Sequence, residues 1–264
     1  MIPRRQFDIE ICSHVWAVNL PVYRTHLKFQ LASLVHFADS MIDVCYTVYV
    51  SGDDHETIDY LDRAKMWLSE NVEVNVQILE NGSLFRRAVG RNKSALAAKA
   101  RVYWFTDVDY MFGRDCLLSL MDKVDETTCL VYPKYVKINP DHATGDKMCD
   151  TSDQELLPSF DDRLFIAREQ KVAIGGVHII GVDHLEAINP KTGKAFGYIN
   201  GHRKCQPVDE AGGFRSCRCD LSFRREHQPA KQILVQNVFR IRHTSAGRAF
   251  DLAGNREPMK GDHD

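Results

Sequence analysis

The chain predicts an α/β fold in which helices flank a mostly parallel central sheet. Three observations carry this reading. The first half alternates short apolar runs with helix-period segments, the pattern of successive strand–helix units. No internal repeat or low-complexity tract interrupts it. Acidic residues gather where strands are expected to end, at Asp53, Asp54, Asp107 and Asp109. Ligands of open α/β sheets bind beyond the carboxyl ends of the strands, so these ends are where a site belongs.

The first expected strand runs from His14 to Leu20 and stops at Pro21. A helical pattern follows, with Leu27, Leu31, Leu34 and Val35 on one face. The second strand spans Cys45 to Val50 and closes in the turn Ser51-Gly52-Asp53-Asp54. A helix from Glu56 to Leu68 comes next, with Ile58, Leu61 and Leu68 facing inward. The third strand is Val72 to Leu79, ended by Asn81-Gly82. A basic helix then runs from Leu84 to Lys99, and a fourth strand, Val102 to Thr106, meets Asp107. Units of this length give parallel strands joined by right-handed crossovers.

Beyond Tyr110 the pattern changes. Cys116 to Met121 reads as a short helix, Thr128 to Tyr135 as a strand, and the polar stretch Asp141 to Pro158 as a mobile loop. Val172 to Val182 reads as a strand, and Asn189 to Ala211, rich in Gly, Lys and Pro, as a loop or small hairpin. Ile233 to Ile241 is an expected strand feeding into His243, and the tail from Asp251 is polar.

Hydrophobic residues make up 44% of the 264 positions, enough for a sizeable core. Charged residues are 27% and the net charge is −2, which excludes strong disorder and a generally basic nucleic-acid binder. No apolar run reaches bilayer length and the N-terminus lacks a signal-peptide pattern, so a cytoplasmic location and no membrane insertion are expected. The eight cysteines are then expected as free thiols. Cys205, Cys217 and Cys219 lack the CxxC spacing that favours a zinc site.

The most informative segment is Val102-Tyr103-Trp104-Phe105-Thr106-Asp107-Val108-Asp109-Tyr110. A buried strand runs into two aspartates one residue apart. In an extended chain, residues i and i+2 point the same way, so both carboxylates could meet one hard cation. Mg²⁺ and Mn²⁺ suit oxygen ligands and can bridge a diphosphate. An Asp-x-Asp alone is more often a solvated turn; its place at the end of an apolar strand favours a site.

With these residues the sequence resembles the GT-A fold (Rossmann-like) glycosyltransferases, especially the family-2 type. Asn19-Leu20-Pro21-Val22-Tyr23 is similar to the family's opening strand and Pro-containing turn. Asp53-Asp54 matches its acidic base-holding residues, Arg91-Asn92 its Arg-Asn pair, and Asp107-Val108-Asp109 its metal motif. The resemblance implies that Pro21, Tyr23, Asp53, Asp54, Arg91, Asn92 and Asp107 bind the nucleotide sugar. It implies that Asp107, Asp109 and His243 form the metal shell for Mn²⁺ or Mg²⁺. The family's Glu-Asp-x-Asp-Leu-x-x-Arg base motif survives only as Asp220-Leu221 and Arg224, so Asp220 is the first choice for catalytic base, with Asp209 and Glu210 in reserve. The resemblance implies one domain over residues 1–250, split into a nucleotide-sugar half (1–110) and an acceptor half with a small subdomain (111–250), and a polar tail (251–264).

The expected activity is metal-dependent, inverting transfer of a sugar from a nucleotide-sugar donor, a UDP-sugar first, to an acceptor hydroxyl. Lysines and arginines clearly outnumber acids between Gly201 and Phe250, which would attract an anionic acceptor, including nucleic acid. Phage enzymes that glycosylate hydroxymethylated bases in DNA are one precedent, with Phe214 and Phe223 as candidate stacking residues. Arg86, Arg87, Arg91 and Lys93 are expected mostly as a solvated basic face, one or two of them reaching the donor. The rival readings are a nucleotidyltransferase of similar fold and an inactive nucleotide-sugar-binding module.

Overall fold

A computed structural model of the protein describes residues 6–18, 20–84, 87–186, 188–189, 194–195 and 219–244. Four parallel strands form its heart: β1 (Phe7–His14), β2 (Val44–Ser51), β3 (Val72–Leu79) and β4 (Ala100–Phe105). They lie in the order β4-β1-β2-β3. Helices α1 (Val22–Phe37) and α2 (His55–Ala64) make the first two crossovers, and α3 (Asn81–Leu84) and α4 (Arg87–Ala97) lead into β4. All eight residues of β2 are buried, as a strand covered on both faces requires. Helix α2 starts where Asp54 accepts a hydrogen bond from the Thr57 N–H, an N-cap that satisfies one of the helix's open donors.

The expected first strand is displaced. It lies at Phe7–His14, not His14–Leu20, because Phe7, Ile9 and Ile11 alternate with Asp8 and Glu10, whose charges hide the pattern. Glu10 is only 1% exposed and accepts a hydrogen bond from Thr47 Oγ1 at 2.7 Å.

The second half carries β5 (Tyr110–Phe112), α5 (Cys116–Met121), β6 (Val131–Pro133), β7 (Tyr135–Ile138), α6 (His142–Ser152) and β8 (Ile166–Glu169). It continues with β9 (His178–Gly181), α7 (Val182–Glu186), the hairpin β10 (Ile188–Asn189) and β11 (Lys194–Ala195), α8 (Cys219–Glu226), β12 (Lys231–Ile233) and β13 (Val238–Arg240). The main sheet has seven strands in the order β12-β6-β9-β4-β1-β2-β3, with β9 antiparallel to both neighbours. A second sheet has the order β5-β13-β7-β8.

Two expected strands are each divided between the sheets. The 128–135 segment ends β6 at Pro133, which has no N–H to donate, and restarts as β7. The 233–241 segment breaks between β12 and β13 at Asn237, whose φ of 50° lies in the left-handed region. The basic helix expected from Leu84 to Lys99 is present as α3 and α4, and the 172–182 strand begins only at His178.

The polar stretch read as a mobile loop holds α6. Asp141 caps it, accepting from the Thr144 N–H at 2.7 Å. Met148 and Cys149 anchor this helix in a small apolar cluster with Met111, Phe165 and Phe239, and close backbone approach at Gly145 seats it. A Cβ on Gly145 would fall 1.7 Å from the Arg242 carbonyl oxygen. Gly145→Ala is therefore expected to destabilise the fold by about 1–3 kcal/mol, as overpacking does. Urea unfolding of the variant measures it; an unchanged midpoint would show that residues 242–243 yield freely.

Candidate active site

The site is built at the carboxyl end of β4. Thr106 N–H donates to the Cys12 carbonyl at 3.0 Å, continuing the ladder to β1. The chain then turns, and the Tyr110 N–H donates back to the Asp107 carbonyl at 3.2 Å. The segment is thus not extended, and the two aspartates do not share one direction. Asp107 meets α4, and Asp109 meets β13.

Gln30, fully buried on α1, holds this turn. Its amide nitrogen donates to the carbonyls of Asp107 at 3.1 Å and Tyr110 at 2.8 Å. Its amide oxygen accepts from Ser13 Oγ at 2.6 Å and Tyr46 Oη at 2.5 Å. All four hydrogen-bonding positions of one amide are filled. Sequence reasoning missed Gln30, because a polar residue within a helix carries no motif.

Asp107 accepts from Arg87, and from Arg91 Nη2 at 3.3 Å. Burial pushes the Asp107 carboxyl up, but the two guanidinium groups more than offset this and hold it well below the usual carboxylate range. Arg91 is fully buried and also donates to the Gly175 carbonyl at 2.8 Å, so it ties α4 to the turn before β9. It is no part of a solvated face. Arg87 is half-buried and Lys93 exposed, and Arg86 lies outside the described residues.

Asp109 is 6% exposed. Its Oδ2 accepts from Arg240 Nε at 2.9 Å. The Arg240 guanidinium lies over the Tyr110 ring at 5.2 Å, and the Asp109 charge raises its already high pKa. Asp109 Oδ1 is buried with no hydrogen-bond partner. The Ile241 N–H donates to the Asp109 carbonyl at 2.8 Å, which brings His243 two residues further on into the same corner. His243 is 3% exposed, and its Nδ1 also has no partner. Its ring packs on His26 at 4.2 Å and on Tyr23 at 5.7 Å. Tyr23 thereby joins the His243 corner, while Pro21 is exposed at the start of α1.

The residues expected to hold the base separate. Asp54 is 3% exposed, and its Oδ1 is engaged by Thr57 and by Arg24 Nη2 at 3.0 Å. Asp53 stands exposed in the turn after β2. Asn92 is buried on α4 beside Arg91. Asp220 lies in the first turn of α8; Asp209, Glu210 and Phe214 lie outside the described residues. Phe223 is 1% exposed, stacked on His178 at 5.2 Å and edge-on to Phe105, so it is a core residue and not a stacking platform. Cys12, Cys45, Cys116, Cys129 and Cys149 are free thiols. Cys205 and Cys217 lie outside the described residues.

Among the described residues no three His, Cys, Asp or Glu side chains gather as a metal cage. A cation that keeps substrate phosphates in its shell needs only one or two protein ligands. The unpartnered Asp109 Oδ1 and His243 Nδ1 are one hard oxygen and one imidazole nitrogen, a donor set that suits Mn²⁺ and, through the carboxylate, Mg²⁺.

Burial lowers the pKa of His14, helped by Arg91 and Arg87, and that of His26, helped by His243. Both are neutral in the folded state and take up a proton on unfolding below pH about 6.5. The unfolded chain then binds more protons, so stability falls as pH drops. Each histidine is expected to cost about 1.4 kcal/mol per pH unit below that point. Unfolding midpoints between pH 7.5 and 5 measure the slope; a flat profile would mean that the two rings are charged in the fold.

No family model matches the chain, and no curated protein matches it in sequence. Solved structures resemble it in fold. One is S. aureus TarS 1-349 in complex with UDP, 10% identical, TM-score 0.51, over 88% of this chain and 60% of that one. Another is the mannosyltransferase PcManGT from Pyrobaculum calidifontis in complex with GDP-Man and Mn²⁺, 12% identical, TM-score 0.51, over 95% of this chain and 61% of that one. The chain spans about three fifths of the length of each. The fold is a GT-A-like glycosyltransferase fold. Among the described residues no helix is long and apolar enough to cross a membrane.

Proposed function

We propose that the protein transfers a sugar from a nucleotide-sugar donor to an acceptor hydroxyl, with Mn²⁺ or Mg²⁺ held by Asp109 and His243. The observation that carries this reading is the pair of buried, unpartnered donor atoms, Asp109 Oδ1 and His243 Nδ1, where the turn after β4 meets the chain leaving β13. The nucleotide-sugar and metal ligands of PcManGT and the UDP of TarS support the donor class. A UDP-sugar is the first donor to test.

When bound, the cation supplies Lewis-acid stabilisation of charge on the departing diphosphate. Arg87 and Arg240 flank the aspartates and add fixed positive charge for the same group. Arg91 and Gln30 hold the turn that carries the aspartates. Asp53, exposed in the turn after β2, is the acid assigned to the nucleobase on this reading. For an inverting reaction a carboxylate takes the acceptor hydroxyl proton, and Asp220, at the start of α8, is the first choice among Asp220, Asp209 and Glu210. On this reading residues 1–110 hold the donor, 111–250 hold the acceptor, and 251–264 form a tail. A hydroxymethylated base in DNA remains an acceptor to test, on the basic composition of 201–250.

Calorimetry with UDP- and GDP-sugars, with and without Mn²⁺, tests the reading. Mn²⁺ is expected to tighten binding at least about tenfold, a gain lost in His243→Ala, since each tenfold is about 1.4 kcal/mol. Turnover of a nucleoside triphosphate to pyrophosphate, with no nucleotide-sugar binding, would move the protein to the nucleotidyltransferases.

A further inference from the structure

We infer that the face of the second sheet that packs on the main core at Tyr110 and Val136 becomes, where it emerges at β8, the acceptor subsite, and that it selects a saccharide carrying a phosphate or carboxylate group. The inference rests on the glycosyltransferase reading of the Asp109 corner. Strand register places Tyr110 opposite Arg240, Arg240 opposite Ile138, and Ile138 opposite Ile166. Paired residues share a face, so these four side chains form one row across β5, β13, β7 and β8.

The row runs from the core to open solvent. Tyr110 is fully buried, Arg240 and Ile138 are half-buried, and Ile166 is 40% exposed. It starts at the residue after Asp109 and ends on an edge strand whose four residues are all exposed. Ile166 lies two strand spacings, about 10 Å, from the β13 position that engages Asp109. An exposed apolar side chain on an edge strand is a liability unless something covers it in use.

The charge on this face names the occupant. Arg168 sits on it, opposite Val136 and two residues from Ile166. Arg168 is exposed and makes no hydrogen bond or ion pair among the described residues. Glu169, the acid of β8, pairs with Tyr135 on the other face. The face therefore offers an apolar strip, Ile138 and Ile166, between two guanidinium groups, one at the reacting corner and one at the outer edge. A sugar ring can lie on the strip with its hydroxyl toward Asp109 and an anionic substituent toward Arg168. Guanidinium recognises phosphate and carboxylate through paired N–H donors, which gives the discrimination against neutral sugars.

The test uses protein loaded with UDP and Mn²⁺, and a matched pair of probes, a methyl hexoside and its 6-phosphate. Wild type is expected to bind the phosphorylated probe at least about tenfold tighter than its neutral twin, and Arg168→Glu to erase that advantage. A matching loss of selectivity in Ile166→Asp supports the same face. The inference is overturned if wild type shows no advantage for the phosphorylated probe, or if the advantage survives in Arg168→Glu. An Arg168-dependent grip on a single-stranded DNA oligomer, without preference between the hexosides, would replace it with a nucleic-acid acceptor. Failure to bind UDP with Mn²⁺ at the outset would instead sink the reading of the corner itself, and this inference with it.

Discussion

Asp109→Asn is expected to lower metal-dependent release of nucleoside diphosphate by about 10²-fold or more, the scale seen when one fixed charge-stabilising group is lost from an active site. The substitution keeps the shape of the side chain and removes its charge. It weakens the hard-oxygen donor offered by Oδ1 and strips Arg240 of its counter-ion at 2.9 Å. The effect should fall on kcat and on metal affinity together. Steady-state kinetics across a Mn²⁺ titration separates the two. A variant that turns over normally at saturating Mn²⁺ would confine Asp109 to metal recruitment. One that turns over normally at every Mn²⁺ concentration would remove Asp109 from the site.

Gln30→Leu is the second large effect. It leaves Ser13 Oγ and Tyr46 Oη without their acceptor, and the Asp107 and Tyr110 carbonyls without their donor. A buried polar group left unsatisfied costs about 1–3 kcal/mol, and some of the four can find substitutes, so a loss of about 3–5 kcal/mol is expected. In a chain of this size that lowers Tm by on the order of 10 °C. Activity per folded molecule should also fall, because the turn that presents Asp107 and Asp109 loses its anchor. Gln30→Glu keeps an acceptor for Ser13 and Tyr46 but sets oxygen against the two carbonyls. It is therefore expected to harm turnover more than its stability loss accounts for. Thermal melts with initial rates at 15 °C measure both. Full stability in Gln30→Leu would show that the amide is dispensable.

Much of the fold was legible where burial is written in apolar runs. β2, β3 and β4 lie where the sequence places them: β2 and β4 as apolar runs covered on both faces, β3 as an edge strand that alternates apolar with polar residues. β1 was hidden by Asp8 and Glu10, whose charges are tolerated near the start of the strand and in a buried hydrogen bond. Helix α6 was hidden because few apolar residues mark it: Met148 and Cys149 reach an apolar cluster, and Gly145 packs against backbone. The division of two strands between sheets depends on long-range pairing that no local window contains. The same holds for the site. Asp107 and Asp109 announce themselves by position. Their partners Arg87, Arg91 and Arg240 come from two other elements, and Gln30 from a third. The turn after Thr106, which separates the two carboxylates, follows from Gln30 more than from any signal in the Asp-x-Asp itself.

The most direct test of glycosyl transfer is release of nucleoside diphosphate from a panel of nucleotide sugars, with Mn²⁺, Mg²⁺ or chelator present. Release of UDP or GDP that requires the metal, and that collapses in Asp109→Asn, is the expected result. Tight nucleotide-sugar binding with no release, across acceptors that include neutral sugars, sugar phosphates and hydroxymethylated DNA, would contradict it and leave a binding module on this fold.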